Sequence, residues 1–164
     1  MFVAALFSVL GVAQAADVTV GPHMEFWPSA ARQQVGPGVG AEFHTDIAWW
    51  GIDAELAYAN GRERSATVDF THHFVRAAVL WSVRTGKERI QFQGGIGPAI
   101  TLNVSQLSDE NTSYSTTSAL PGLRFRVGLG GQVNRFSWQW YTGATSVDFP
   151  RHHYDTGVRF GVNW

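Results

Sequence analysis

The chain has 164 residues, a formal net charge of −1, 18 glycines and no cysteine, with 13% aromatic and only 15% charged residues, against roughly 25% charged in an average soluble domain. That size suits one compact domain and excludes two. The composition also excludes disulfide and cysteine-metal chemistry, a strong single-sign field for nucleic acid or polyanions, and disorder over most of the length.

Residues 1–15, MFVAALFSVLGVAQA, are apolar and uncharged and end in Ala13-Gln14-Ala15, the small-x-small pattern of a signal-peptide cleavage site. The expected division is a signal peptide over 1–15 and a single domain over 16–164. The usual basic n-region is missing, since no Lys or Arg precedes Arg32, which fits a start internal to a longer gene. No later stretch approaches the roughly 18 apolar residues of a transmembrane helix.

From Val18 onward the dominant period is two, the pattern of a β-strand with unlike faces. Val18 to Trp27 opposes Val20, Met24 and Phe26 to Gly21, His23 and Glu25. Val35 to Thr45 opposes Val39, Ala41 and Phe43 to Gly38, Gly40, Glu42 and His44. Trp50 to Tyr58 opposes Ile52, Ala54 and Leu56 to Asp53 and Glu55. Ala66 to Arg84 is irregular: Val68 and Phe70 are even, whereas Val75, Ala77, Val79, Trp81 and Val83 are odd, so a bulge is expected near Thr71 to Phe74. Ile90 to Val104 sets Ile90, Phe92, Ile96, Ile100 and Leu102 against Gln91, Gln93, Gly95, Gly97, Thr101 and Asn103. Leu123, Phe125, Val127 and Leu129 alternate with Arg124, Arg126, Gly128 and Gly130; Trp138 and Trp140 are set against Gln139 and Tyr141. In the last segment Tyr154, Thr156, Val158, Phe160, Val162 and Trp164 share one face, and His153, Asp155, Gly157, Arg159, Gly161 and Asn163 the other.

These segments predict eight strands. Tight turns are expected at 46–48, 85–88 and 134–135, and longer loops at 28–33, 60–65, 105–118 and 148–152, the last but one a polar stretch expected to move freely. Short turns at one end and long loops at the other suit an all-β, eight-stranded antiparallel up-and-down transmembrane β-barrel with periplasmic termini. A soluble lipocalin-like ligand-binding barrel shares the strand count but turns its apolar face inward. Glycines on the polar face, including Gly36, Gly38, Gly40, Gly95, Gly97, Gly128, Gly130, Gly157 and Gly161, suit the crowded interior of a small barrel. Two aromatic girdles are expected from Phe43, Trp50, Trp81, Trp138 and Trp164 toward the turns and Phe26, Tyr58, Phe70 and Tyr154 toward the loops.

The ending, with Val158, Phe160 and Val162 at alternate positions before a terminal Trp164, resembles the C-terminal signature of outer-membrane barrels. The resemblance implies recognition by the barrel-assembly machinery. With the eight-strand layout, the whole mature chain resembles the small OmpA/OmpX/OmpW-type barrel family. That implies a bacterial outer-membrane location, contact with outer-membrane lipid and lipopolysaccharide, and no nucleic-acid partner; the chain is expected to be a monomer.

The same alternation sends Glu25, Glu42, Asp53, Glu55 and Asp69 into the lumen, with Arg76, Arg84, Arg89, Arg124, Arg126 and Arg159. An internal salt-bridge network that fills the barrel is expected. A narrow channel for small or hydrophobic solutes stays open as an alternative. So does a lipid A-modifying acyl hydrolase or transferase, for which His72, His73, His152 and His153 lie near loop ends with Ser65, Asp69, Ser146 and Asp148 close in sequence. The lipid A deacylase family carries a His and a Ser two residues apart on a late strand, and the late strands here contain no His-x-Ser. The leading expectation is therefore a non-enzymatic structural or surface-interaction barrel without cofactor or metal, because adjacent strand residues point to opposite faces and a His-His pair does not chelate easily.

Overall fold

The structure, a computed structural model, describes residues 16–28, 33–47, 49–64, 69–87, 89–108, 112–148 and 151–163. The expected signal peptide, Ser65 and Trp164 fall outside the described residues. Eight strands run in chain order as β1 (Ala16–Pro28), β2 (Gln33–Ile47), β3 (Trp50–Arg64), β4 (Asp69–Lys87), β5 (Ile90–Ser108), β6 (Ser113–Val133), β7 (Phe136–Asp148) and β8 (Arg151–Asn163). Each pairs antiparallel with the next, and β1 pairs with β8 from Asp17↔Asn163 to Phe26↔Tyr154, so the sheet closes. Closure removes the free edges that an open sheet of this length would expose.

Which face points outward follows from accessibility. Val20, Val39, Leu56, Val79, Phe125 and Phe160 are each about half exposed, whereas Glu25, Glu42, Glu55, Arg76, Arg124 and Arg159 are buried. The apolar face is outside and the charged face inside, the inverse of a lipocalin, so the soluble ligand-binding arrangement is not the one formed. The backbones approach closely where glycine leaves room: a Cβ on Gly97 would lie 2.0 Å from the Val79 carbonyl oxygen, and one on Gly161 1.9 Å from that of Val18. The tight Asn134-Arg135 turn is made by Asn134 at φ 57°, a left-handed conformation that Asn tolerates.

Three expectations are corrected, the loop at 60–65 among them, since Asn60 to Arg64 continue β3 and pair with His73 to Asp69. No bulge interrupts β4: its register runs without a shift from Gly51↔Ser82 to Arg64↔Asp69 on one side and from Lys87↔Ile90 to Asp69↔Ser108 on the other. Phe70 and His72 therefore share the inward parity of Phe74 and Arg76, and Asp69, Thr71 and His73 share the outward one. The shift in register lies instead between Ser146 and Asp148, at the end of β7. Nor is 105–118 a free loop. β5 and β6 continue pairing through Ser105↔Thr116 to Ser108↔Ser113, leaving 109–111 outside the described residues.

Candidate functional site

The alternation that puts small and charged residues inside brings acidic residues of β1, β2 and β3 opposite arginines of β4, β6 and β8. Glu55, fully buried, is approached by Arg124 Nε at 2.9 Å, Arg126 at 3.3 Å, Arg159 at 3.4 Å and Arg76 at 3.5 Å. Asp155 takes both ends of the Arg124 fork, at 2.6 and 2.9 Å, and a third bond from Arg76 at 3.0 Å. Glu42 accepts from Arg126 and, at 2.5 Å, from Arg159, while Asp53 accepts from Arg126 and pairs with His44. Glu25 accepts from Arg76 at 2.6 Å, with His23 and His153 at 3.5 and 3.6 Å. Arg159 also stacks over the buried Tyr141 ring, 4.2 Å from its centroid. Shared partners of this kind offset the large cost of removing each charge from water, and they cross the middle of the barrel from wall to wall.

Toward the turn end the contents thin to one ion pair and a pair of amides. Arg84 donates to Asp17 at 3.1 Å, and Gln139 donates to Gln93 at 2.5 Å. Between them is a void of about 20 Å³ bordered by Asp17, Arg84, Ser137 and Gln139, space for about one water. Toward the loop end the filling becomes aromatic. Trp27 packs on Phe74 at 4.5 Å between centroids, His72 stacks between Phe70 and Phe74, and Phe74 meets His153 edge-on at 5.2 Å. Trp27 fits because Gly61 faces it: a Cβ there would lie 2.2 Å from the indole.

The residues expected in the lumen separate into three groups. Glu25, Glu42, Asp53, Glu55, Arg76, Arg124, Arg126 and Arg159 are buried together in the network, and Arg84 lies just below it. Asp69 is not inside; it is at the outer rim, accepting from Arg62 at 2.6 Å, because β4 lacks the bulge that would have turned it inward. Arg89 is exposed in the turn between β4 and β5, beyond the end of the ladder where parity sets direction. Of the expected girdle residues, Phe43, Trp50, Trp81 and Trp138 sit on outward positions near the turns, and Phe26, Tyr58 and Tyr154 on outward positions near the loops. Phe70 faces inward with His72. Val158, Phe160 and Val162 occupy successive outward positions of β8, with Trp164 outside the described residues.

The histidines do not assemble a catalytic triad among the described residues. His72 hydrogen-bonds Ser105 at 2.8 Å, but these residues are direct cross-strand partners, and the third group, Asn103, is an amide that accepts from Ser105 at 3.2 Å. His73 faces the other way and bonds the Tyr58 hydroxyl at 2.8 Å. Several network members were not singled out from the sequence: Asp155, His23, His44 and Tyr141 inside, and Trp27 above. Parity carried the signal for Asp155, His23, His44 and Tyr141, which alternate with outward apolar residues.

The upper part of β6 has no β7 partner among the described residues. β6 pairs with β7 only from Leu123↔Ser146 to Val133↔Phe136, while on its other side it stays paired with β5 up to Ser113. Within SYSTTSALPG (113–122), residues 113–120 rise past Asp148 at the end of β7 with no partner on that side among the described residues, and 113–119 are exposed. The stretch 113–122 contains no charged residue, and its only proline, Pro121, lies at the lower end.

No family model matches the sequence, and no curated protein matches it. Solved structures do. The attachment invasion locus protein Ail of Yersinia pestis superposes with a TM-score of 0.68 at 14% identity, over 92% of this chain and 98% of that one. Neisserial surface protein A gives 0.65 at 11% identity, over 90% and 97%. The N-terminal β-barrel domain of Pseudomonas aeruginosa OprF gives 0.52 at 12% identity, over 90% and 97%. The chain has the fold of these small eight-stranded outer-membrane barrels.

Proposed function

We propose that the chain is a monomeric outer-membrane barrel with periplasmic termini and a sealed interior, acting without catalysis by presenting the raised β4–β5–β6 sheet to extended partners outside the cell. The membrane location rests on the apolar outer wall, about half exposed at residue after residue, flanked by aromatic side chains at both ends. Val158, Phe160, Val162 and Trp164 supply the alternation that the assembly machinery would read, and lipopolysaccharide would surround the loop end. The ion-paired interior argues against a channel, because an eight-stranded barrel holds little more than its own side chains.

The open edge of β6 carries the surface role. Natural proteins usually blunt a free edge with Lys, Pro or a bulge; this one is uncharged over ten residues, which leaves its amides and carbonyls available for strand addition. A peptide of alternating Thr and Val, added to the barrel in lipid nanodiscs, is expected to slow amide exchange across 113–120. Its N-methylated counterpart, which lacks the pairing amides, is expected to have no effect, and so is either peptide on the Ser115→Lys, Thr117→Lys variant. Unchanged exchange with the first peptide, or equal slowing by both, would remove the strand-addition role.

A further inference from the structure

His44 stands buried at the turn-side margin of the ion-paired interior, on the inward face of β2. Its Nδ1 faces a carboxylate oxygen of Asp53 across the β2–β3 ladder, and its Nε2 lies 2.8 Å from an oxygen of Asp46, two residues along the same face. The ring has no room to turn away, because it fills the place of a side chain opposite: a Cβ on Gly51 would lie 2.6 Å from His44 Cε1. A neutral imidazole offers one N–H and one lone pair, so it satisfies one of these carboxylates and sets its lone pair against the other. An imidazolium donates to both.

The charges of the interior point the same way. Among the described residues, six buried carboxylates, those of the network and Asp17, face five arginines, of which Arg84 is the fifth. An uncompensated charge is costly away from water, and one more cation balances the set. His44 fits that place. The other buried histidines of the interior, His23 and His153, each approach Glu25 through one nitrogen, at 3.5 and 3.6 Å. The charged groups around His44 are Asp17 on β1, its ladder partner; Glu42 and Asp46 on β2; Asp53 on β3; and Arg84 on β4, itself tied to Asp17 and Glu42. Arg126 from β6 holds the other oxygen of Asp53, which leaves the oxygen that faces His44 to the imidazole.

We propose that His44 is carried as an imidazolium and serves as a proton-dependent clamp, tying the β2–β3 turn through Asp46 to the ion-paired interior through Asp53. Without that proton the ring holds only one of the two carboxylates, and the turn is no longer fastened to the interior. Because the clamp forms only with the proton on, the folded barrel loses stability as pH rises through the interval in which the proton leaves. The clamp does not depend on the strand-addition role of β6.

The test follows the nitrogen-15-labelled barrel in lipid nanodiscs by NMR from about pH 6 to about pH 10, a range that spans the ordinary histidine titration. The His44 signals are assigned by their loss in His44→Gln. Both ring nitrogens of His44 are expected to carry protons at neutral pH. Asp46→Asn removes only the half-exposed carboxylate and is expected to release the proton about one pH unit lower, a tenfold weaker hold. As the proton leaves the wild type, the backbone order of Asp46 and Trp50 is expected to fall, while the Val133–Phe136 turn stays unchanged. A neutral His44 at neutral pH would overturn the proposal. So would a titration unmoved by Asp46→Asn, or turn order that does not follow the proton.

Discussion

Arg124→Ala is expected to lower the stability of the folded barrel by about 3 to 5 kcal/mol, the usual cost of breaking a buried ion pair from one side. Arg124 is fully buried, grips both oxygens of Asp155 at 2.6 and 2.9 Å, and reaches Glu55 at 2.9 Å. Its removal leaves Asp155 held by Arg76 and Glu55 by the longer contacts from Arg126, Arg159 and Arg76. Urea unfolding of the barrel in lipid vesicles measures the loss. Removing both partners together, as Arg124→Met with Asp155→Asn, is expected to recover most of it, since that leaves one fewer charge of each sign. A near-zero effect of Arg124→Ala would mean that water reaches these groups and that the interior is not sealed.

Trp27→Ala is expected to cost a similar amount, about 3 to 5 kcal/mol, through the cavity left by a large buried ring. Trp27 is 4% exposed and packs against Phe74 at the loop end of the interior. The position of Gly61 allows a sharper version of the test. Because a Cβ on Gly61 points into the indole, Gly61→Leu alone is expected to destabilise by about 1 to 3 kcal/mol through overpacking. Combined with Trp27→Ala, the same leucine falls into the vacated space and is expected to stabilise instead. Simple additivity of the two losses in the unfolding curves would mean that the two side chains do not compete for one space.

Strand number, strand order and the inward or outward direction of most side chains were legible in the sequence because one physical condition holds along the middle of each strand. There one face meets an apolar exterior and the other a crowded interior, so apolar and polar residues must alternate. The misreadings fall where that condition lapses. Past the apolar band both faces of β5 and β6 are polar, so the SQLSDENTSYSTTS stretch looked like a loop although most of it is paired. Near the loop end the interior is filled by rings rather than charges, so Phe70 seemed to belong outside, and the bulge invoked to put it there also sent Asp69 inward. Arg89 lay beyond the last ladder pair, where parity no longer sets direction. Partner choice inside was hidden for another reason: the interior arginine–carboxylate pairs join residues 21 to 117 positions apart, and the closure of β1 on β8 sets which of them meet.

A closed barrel with its apolar wall in the outer membrane underlies each of these expectations. The most direct measurement expresses the chain behind a complete signal peptide, separates the membrane fractions, and runs the detergent extract on a denaturing gel with and without boiling. A band is expected in the outer-membrane fraction that migrates faster unboiled than boiled, because a closed barrel held by its strand ladder and buried ion pairs resists detergent until heated. A soluble periplasmic protein, or an outer-membrane protein whose mobility does not change on boiling, would contradict it.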